Sequence, residues 1–381
     1  MTELRWKSYR PEDDRRTGIC MANENLDQSD PSWSEWLVIE TLGFADGIEP
    51  TVVAKGSGHR SFTSIKRRTD TRTTFATIQK VIPEVFLTGD TVVEPVHGHG
   101  AYERMMVLGV PIIGPSGVFG VQIWAGNPDA TRPPAESVGT FEFDVERQVT
   151  KHGPGHDAQI LGLDDGADTR TLQEIWKHFD RFDAEEAYRE YLDALSCDQF
   201  ASGESFDAPI YLTDANGIQR RIDMSVRARI APDGRRIVGL LHDTTEGAEK
   251  APGMSDRQIA RAAAQLVAKD TDAGLGHLDL NTGIVFEWLK TPPAPFDQWE
   301  RHNPELHPKT VEALDLARAA ILDGSEKQAS FPLYLRFPGD DEWLLADMTI
   351  TAIGDARSSG GKTIRAALIQ IGECVAPPAM W

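Results

Sequence analysis

Alternating apolar and polar residues mark pairs of long strands along the chain. The pattern is clearest over residues 220–230, where every second residue from Ile222 to Ile230 is apolar and the intervening residues are polar. A period of two predicts a strand with one buried face and one solvated face. The dipeptide of Asp233 and Gly234 favours a tight turn into a second strand over residues 235–242. The sequence therefore predicts a long antiparallel hairpin here.

Two more hairpins of this kind are predicted, one on each side of the first. Residues 104–113 pair with 118–125, and residues 343–353 pair with 363–371. The three hairpins end at Ala125, His242 and Ile371, roughly 120 residues apart, which is the size of a small domain. We therefore predict three similar modules in the α+β class.

Breaks in the pattern set the predicted domain boundaries. Residues 127–136 carry three prolines, and residues 243–253 are polar and end in Pro252 and Gly253. Neither stretch continues a strand or a helix. The predicted domains are residues 1–130, which begin with a polar N-terminal arm, then 131–250 and 251–381.

Helical spacing of apolar residues appears between the strands of each module. It predicts helices near residues 71–85, 172–182, 184–195, 255–269 and 309–322. One side of the 255–269 helix is apolar, with Ile259, Ala262, Ala263, Leu266 and Val267. We expect this side to pack within the chain, and the alternative is a second copy of the chain, giving a homodimer.

Composition limits the partners that the protein can bind. The 381 residues include 39 Lys and Arg against 59 Asp and Glu, a formal net charge of -20. Such a charge repels nucleic acid and anionic lipid, so we expect neither as a partner. Cys20, Cys197 and Cys374 have no C-x-x-C spacing, and no apolar stretch is long enough for a membrane span. These features favour a cytoplasmic protein.

The end of the second module resembles the end of a PAS sensor domain. PAS domains often finish with a glycine-containing strand followed by D-x-T-E, matched here by Asp243, Thr245 and Glu246. The Asp side chain can fix the backbone where the sheet passes into a signal connector. The third module is similar to PAS in its order of elements but has Gly372 and Glu373 where D-x-T-E would stand.

The first module resembles a GAF domain. Residues 110–113 (VPII), a turn, and residues 118–121 (VFGV) match the paired central strands of that family, whereas the N-K-x-D motif of cyclic-nucleotide binders is missing. The whole chain resembles the sensor-only GAF-PAS-PAS proteins of actinobacteria. The resemblance implies that each module has a five- or six-stranded antiparallel sheet, packed against helices, around a pocket for a small ligand.

Two histidine pairs are candidate metal ligands. His97 and His99 lie two residues apart, and His152 and His156 lie four apart, both pairs among glycines. The glycines favour loops, so we predict no metal site from either pair.

The sequence contains no complete motif for a catalytic nucleophile, a phosphate-binding loop or a flavin-binding cysteine. Ser116 has no G-x-S-x-G context, residues 56–58 lack the spacing of a phosphate loop, and Cys197 does not match the motif of flavin-binding photosensors. Beyond Glu373 the sequence has no room for an effector domain. We expect no catalytic residue, no cofactor and no enzyme activity.

The leading hypothesis is a non-enzymatic sensor or scaffold that binds a small ligand or a signalling protein and relays a signal between its modules. Candidate ligand contacts, which combine polar groups with a position near the paired strands of the first module, are His97, His99, Arg104 and Trp124.

Two alternatives belong to other functional classes. The first is a metal-dependent enzyme whose site forms between modules from His97, His99, His152 and His156. The second is an interaction adaptor with filled pockets, which binds another protein through exposed aromatics near Trp33 and Trp36 or through the 255–269 helix.

Overall fold

The computed structural model describes residues 32–99, 102–196, 201–232, 234–247, 256–267, 269, 271–353 and 366–374. These residues form three antiparallel sheets of six, seven and six strands, one after another along the chain, with few helices. The predicted α+β fold of three tandem modules is confirmed. The second sheet exceeds the expected five or six strands, because short strands at Thr169–Thr171 and Phe179–Arg181 extend its two edges.

The first module packs one long helix on a six-stranded sheet. Thr71 caps the start of the helix through its side-chain oxygen, and Gly89 ends the helix in the left-handed conformation. Ile78 and Val81 on its inner face are fully buried. The elements are β1 (Leu37–Glu40), β2 (Thr51–Lys55), β3 (Gly58–Ser64), α1 (Arg72–Thr88), β4 (Val92–Pro95), β5 (Met106–Gly114) and β6 (Gly117–Gly126).

The second module contains the long central hairpin predicted from the sequence. Asp233 lies outside the described residues, and Gly234 has a φ of 133°, which a turn requires and glycine supplies. The elements are β7 (Val138–Asp144), β8 (Val149–His152), β9 (Thr169–Thr171), α2 (Leu172–Trp176), β10 (Phe179–Arg181), α3 (Glu185–Ser196), β11 (Ser205–Thr213), β12 (Gln219–Ala231) and β13 (Gly234–Asp243). The helix expected over residues 172–182 ends early, because the chain joins the sheet at Phe179.

The third module has the same kind of sheet and one long helix. The elements, beginning with the helix that joins it to the second module, are α4 (Asp256–Val267), β14 (Gly274–Asp279), β15 (Val285–Lys290), β16 (Glu305–Leu306), α5 (Pro308–Leu322), β17 (Gln328–Arg336), β18 (Leu344–Ala352) and β19 (Ala366–Ile371). The loop predicted before the last strand lies outside the described residues.

All three sheets share one plan of strand pairing. The first strand of each module pairs antiparallel with the last, as β1 with β6, β7 with β13, and β14 with β19. The orders are β3-β2-β1-β6-β5-β4, β10-β11-β12-β13-β7-β8-β9 and β15-β14-β19-β18-β17-β16. The strands of each sheet therefore come from one continuous stretch, and the boundaries predicted near residues 130 and 250 remain predictions.

Strand β12 differs from the sequence prediction on its polar face. The alternation predicts that this face is solvated, yet Asp223, Ser225 and Arg227 are only 2%, 2% and 7% exposed. The first module covers this face of β12, where Glu40 binds Arg227 and His59 lies 4.0 Å from Asp223. Both faces of β12 are therefore buried, one in the core of its own module and one at the junction.

An apolar cluster joins the first two modules. Val38 and Ile112 from the first sheet pack with Val138, Val238 and Leu240 from the second. The second and third modules also share a core, because Ile284 and Phe286 pack among the aromatic residues of the second.

Helix α4 presents its apolar side to solvent, contrary to the expectation that this side packs within the chain. Ile259 is 49% exposed and Leu266 is 73% exposed, and the side chains of Ala262 and Ala263 are exposed between them. The opposite side carries Arg257, which reaches two carboxylates of the protein. Ion pairing, rather than apolar contact, therefore orients this helix.

Candidate functional site

The predicted ligand contacts do not converge on one pocket. His97 and His99 are exposed in the loop after β4. Arg104 forms an ion pair with Asp129 at 2.8 Å, with both side chains more than 70% exposed. None of these residues lines either of the two cavities described below.

Trp124, the fourth predicted contact, is a core residue. Its side chain is fully buried in the first module, and its indole N–H donates to the backbone oxygen of Trp33 at 2.8 Å. Trp33 and Trp36 are also buried, at 9% and 4% exposure, so the predicted exposed aromatic surface of an adaptor does not form at these residues.

A cavity of about 360 Å³ lies between α1 and the outer strands of the first sheet. This volume is within the range typical of small-molecule sites, roughly 300–1,000 Å³. Its walls combine polar and apolar surface in similar amounts, and they are formed by Phe44, Glu49, Pro50, Thr51, Phe62, Ser64, Ile65, Phe75, Gln79, Ile82 and Pro83.

The polar groups at this cavity are mainly hydrogen-bond acceptors. Pro83 has no N–H, so the Gln79 carbonyl four residues earlier in α1 lacks its helical donor. Glu49 adds a carboxylate, and Ser64 adds a hydroxyl. Within the described part of the chain, the side chains of Glu49, Ser64 and Gln79 have no hydrogen-bond partner. The cavity thus offers solvent-exposed polar groups, several of them acceptors, beside apolar side chains.

One wall of the cavity touches the junction with the second module. The Arg227 guanidinium of β12 lies 4.7 Å from the centre of the Phe62 ring, a cation–π distance. Arg227 also binds the Glu40 carboxylate of β1, through Nη2 at 2.7 Å and Nε at 3.2 Å. Thr51, another residue of the cavity wall, donates to the same carboxylate at 2.5 Å. Two residues of the cavity wall, Phe62 and Thr51, therefore also contact the Glu40–Arg227 pair.

The Glu40–Arg227 pair is almost fully enclosed. The Glu40 side chain is 1% exposed and that of Arg227 is 9% exposed. Both carboxylate oxygens are satisfied, because the backbone N–H of Leu42 donates to the second one at 3.0 Å. A hydrogen-bonded buried pair is costly to break from one side, since the remaining charge then lacks a partner.

A second polar contact between the first two modules involves Asp207. His59 and Ser61 of β3 contact the Asp207 carboxylate of β11 at 2.7 and 2.8 Å. The hydrogen bond with His59 holds the pKa of Asp207 below its ordinary value, against burial, which raises it, and Ser61 adds to the lowering. The first module therefore holds the second by charged contacts as well as apolar ones.

The second module has a cavity that is nearly filled by side chains. Its volume is only about 40 Å³, and the aromatic residues Phe143, Trp176 and Tyr188 are among those that line it. This is enough for water but not for a metabolite. Of these two cavities, only the one in the first module has space for a small ligand.

The predicted connector lies where β13 ends. The Asp243 carboxylate accepts hydrogen bonds from the Thr245 backbone N–H at 3.0 Å and hydroxyl at 2.5 Å, and Arg220 binds its other oxygen at 2.7 Å. Glu246 is exposed. The Asp side chain thus fixes the local backbone, and a role in signalling remains a prediction.

Of the four candidate histidines, the structure brings together His152 and His156. Both lie beside Asp157, whereas neither His97 nor His99 belongs to a group of three ligating side chains among the described residues. Burial lowers the pKa of His156 to about 4, against a hydrogen bond with Asp157, which raises it. Burial raises the pKa of Asp157, but the neighbouring His152 imidazole and the hydrogen bonds from His156 and Arg170 outweigh it and hold that pKa far below its ordinary value.

The residues that join the first two modules, Glu40 and Arg227, were not among the predicted site residues. A weak signal existed for Glu40, because it closes an otherwise apolar strand, Leu37 to Ile39. Arg227 gave no signal, since a polar residue on an alternating strand is ordinarily solvated.

Comparison with known proteins agrees with the fold. Residues 35–134 match a family described as Rv3651-like, N-terminal. No curated protein matches the chain. A crystal structure of an uncharacterized protein from Mycobacterium tuberculosis has a TM-score of 0.65 and 21% identity, and the match covers 89% of this chain and 96% of that one. This likeness shows that the three-module fold occurs in another protein.

Matches to sensor proteins are much weaker. A sensory box histidine kinase/response regulator from Burkholderia thailandensis has 17% identity and a TM-score of 0.23, over 35% of this chain and 90% of that one. An RNA-binding light-oxygen-voltage receptor has 13% identity and a TM-score of 0.23, over 62% of this chain and 95% of that one. Among the described residues, no helix has the length and apolar character that a membrane span needs.

Proposed function

We propose that this protein is a cytoplasmic, non-enzymatic sensor, with a GAF-like first module and two PAS-like modules, that binds a small ligand in the first module and relays binding to the second. The observation that carries the proposal is the shared wall of the 360 Å³ cavity and the Glu40–Arg227 pair. A ligand that moves Phe62 or Thr51 changes the contacts that hold Arg227. In this proposal the junction has two arrangements. The ligand binds one of them more tightly than the other, so binding shifts the equilibrium between them.

The chemistry of the cavity indicates the class of ligand. Apolar wall residues such as Phe75 and Ile82 favour a hydrophobic body, and the exposed acceptor oxygens of Glu49, Ser64 and Gln79 favour hydroxyl or amine groups on one end. Glu49 also disfavours an anionic ligand. We therefore propose an amphipathic, neutral or cationic molecule with hydrogen-bond donors.

A thermal-shift screen of such compounds tests the proposal. A ligand at about 100 times its Kd should stabilise the protein by about 2.7 kcal/mol. Gln79→Trp fills the cavity and should abolish the shift. Lys80→Trp is the matched control, because Lys80 is the next residue of α1, is also exposed, and does not line the cavity.

Two results would contradict the ligand-sensor proposal. One is a screen in which no compound stabilises the wild-type chain. The other is a stabilising compound whose shift is the same in Gln79→Trp and Lys80→Trp, because that compound then binds elsewhere.

A second candidate function is a protein-interaction adaptor, and the exposed apolar side of α4 favours it. Ile259 and Leu266 occur at helical spacing with Ala262 and Ala263 between them, and all four side chains are exposed. A signalling protein or a second copy of the chain, giving a homodimer, would cover this side. Sedimentation of the wild type and of Leu266→Asp over a range of concentrations tests the homodimer, which only the wild type should form.

A further inference from the structure

A buried cluster of two histidines and one aspartate lies where β8 passes into a π-helical turn at His156–Leu161. The Nδ1 atoms of His152 and His156 lie 3.0 and 2.7 Å from the same oxygen of Asp157, Oδ1. The two imidazole rings stack with centres 4.2 Å apart. One potential ligand atom from each residue lies within 4.8 Å of the others.

His152 is the unexplained member of this cluster. Its side chain is only 4% exposed, yet neither ring nitrogen has a hydrogen-bond partner, since Nδ1 is near Asp157 without the alignment of a hydrogen bond. A buried polar group without a partner destabilises the fold, because it has lost its hydrogen bonds to water. A cation could satisfy this unpaired imidazole nitrogen, because a carboxylate and a second imidazole lie close beside it.

The charges around the cluster also suit a cation. Arg170 is 1% exposed and binds the other oxygen of Asp157 at 2.9 Å, together with the carboxylates of Asp165 and Glu174 at 2.5 Å each. Three carboxylates and one guanidinium give a charge of -3 + 1 = -2. A divalent cation bound by the imidazoles and Asp157 brings this total to zero. Arg170 then serves to orient the ligating carboxylate.

We propose that His152, His156 and Asp157 bind a divalent transition metal of the zinc class. Imidazole with carboxylate suits Zn²⁺, whereas Mg²⁺ and Ca²⁺ prefer oxygen ligands alone. Ligand atoms in a tetrahedral zinc site are roughly 3.3 Å apart, given bonds of about 2.0–2.1 Å. The two His–Asp157 separations of 2.7 and 3.0 Å therefore need to open by a fraction of an ångström, and the stacked imidazoles, whose planes lie 12° apart, need to rotate so that both Nδ1 atoms point at the metal.

The site lies next to the small cavity of the second module. His156 lines that cavity, whose volume of about 40 Å³ exceeds the space that one water needs. The cavity therefore has room for one water as a fourth ligand of a bound metal. The metal would fix β8 to the π-helical turn in the second module, and this proposal does not rest on ligand binding in the first.

Calorimetric titration of the metal-free full-length chain with Zn²⁺ tests the proposal. We expect one equivalent to bind to the wild type, and His152→Gln and Asp157→Asn to weaken binding by more than about tenfold. The matched control is the His97→Gln, His99→Gln double variant, in which the exposed histidine pair is lost and binding should be unchanged. Absence of binding to the wild type, or equal binding to His152→Gln, would overturn the proposal.

A measurement on the wild-type chain covers the case in which the variants fail to fold. X-ray absorption of the zinc-loaded protein should show two imidazoles in the first coordination shell, with Zn–N distances of about 2.0–2.1 Å. A shell that contains only oxygen, or a single imidazole, would contradict the assignment. Circular dichroism of the metal-free variants shows whether a loss of binding reflects a lost ligand or a lost fold.

Discussion

Arg227 of the second module holds the buried carboxylate of Glu40 in the first module through two nitrogens, at 2.7 and 3.2 Å. These residues lie 187 positions apart in the chain. The pair joins two sheets that each have their own core, and it touches the wall of the cavity through Phe62. A change in either module that alters this pair therefore reaches the other.

The first prediction concerns the stability that this pair provides. Glu40→Leu or Arg227→Met should each lower the free energy of unfolding by about 3–5 kcal/mol, because each leaves one buried charge without its partner. The double variant should recover much of the loss, since neither charge then remains. Urea denaturation of the wild type, the two single variants and the double variant gives the coupling energy between Glu40 and Arg227.

A surface ion pair supplies the control for this cycle. Arg104 and Asp129 are 74% and 79% exposed, so Arg104→Ala should change stability by less than about 1 kcal/mol. If the double variant loses as much as the two single variants together, the pair is not coupled and the proposed relay loses its physical basis.

The second prediction separates core residues from ligand contacts in the first module. Trp124→Ala should cost about 3–5 kcal/mol, because it empties a fully buried position. His97→Ala and His99→Ala should stay within about 0.5 kcal/mol, because both side chains are exposed. Thermal denaturation of the three variants checks this, and a small effect of Trp124→Ala would contradict the packing described here.

Some of the fold follows from local patterns and some does not. The alternation over residues 220–230 and the turn at Gly234 are local, so the central hairpin was predictable from the sequence. The residues that bind across modules were not, because burial of the polar face of β12 depends on a module more than 150 positions away. The candidate site lies at this junction, so Arg227 could not be predicted from local sequence patterns.

Helical spacing also misled at two places, for different reasons. Phe179 is three and four residues from its apolar neighbours, yet it pairs with Leu212 in the sheet, because tertiary contacts outweigh a short local pattern. In α4 the apolar stripe is real but faces outward, because the arginines on the other side pair with Glu287. Helical periodicity shows that a helix has an apolar side, but it does not show whether the rest of the protein covers that side.

The third prediction concerns pH and the junction of the second and third modules. Burial raises the pKa of Glu287, but hydrogen bonds and charges from His277, Arg257 and Arg261 outweigh it and lower the pKa to about 2. As the pH falls below about 4.5, the unfolded state binds the proton first. The stabilisation that the charge provides is thus present above pH 4.5 and is lost between about 4.5 and 2.

Melting temperatures from pH 7 to pH 3 measure this effect. The wild type should exceed Glu287→Gln at neutral pH, and the gap should shrink as the pH falls below about 4.5. Glu312→Gln, on the exposed side of α5, is the control and should show little gap at any pH. If the difference in melting temperature between the wild type and Glu287→Gln does not change with pH, the fold does not stabilise the charged form of Glu287.

The fourth prediction tests which side of α4 packs on the protein. Arg257 donates to Glu185 and Glu287 at 2.8 Å each, and its side chain is 10% exposed, so Arg257→Ala should lower the free energy of unfolding by about 1–3 kcal/mol. Leu266 is 73% exposed, so Leu266→Ala should change it by less than about 0.5 kcal/mol. Chemical denaturation at low protein concentration makes the comparison free of self-association. The opposite ranking would mean that the apolar side is buried within the chain, and the adaptor candidate would then lose its surface.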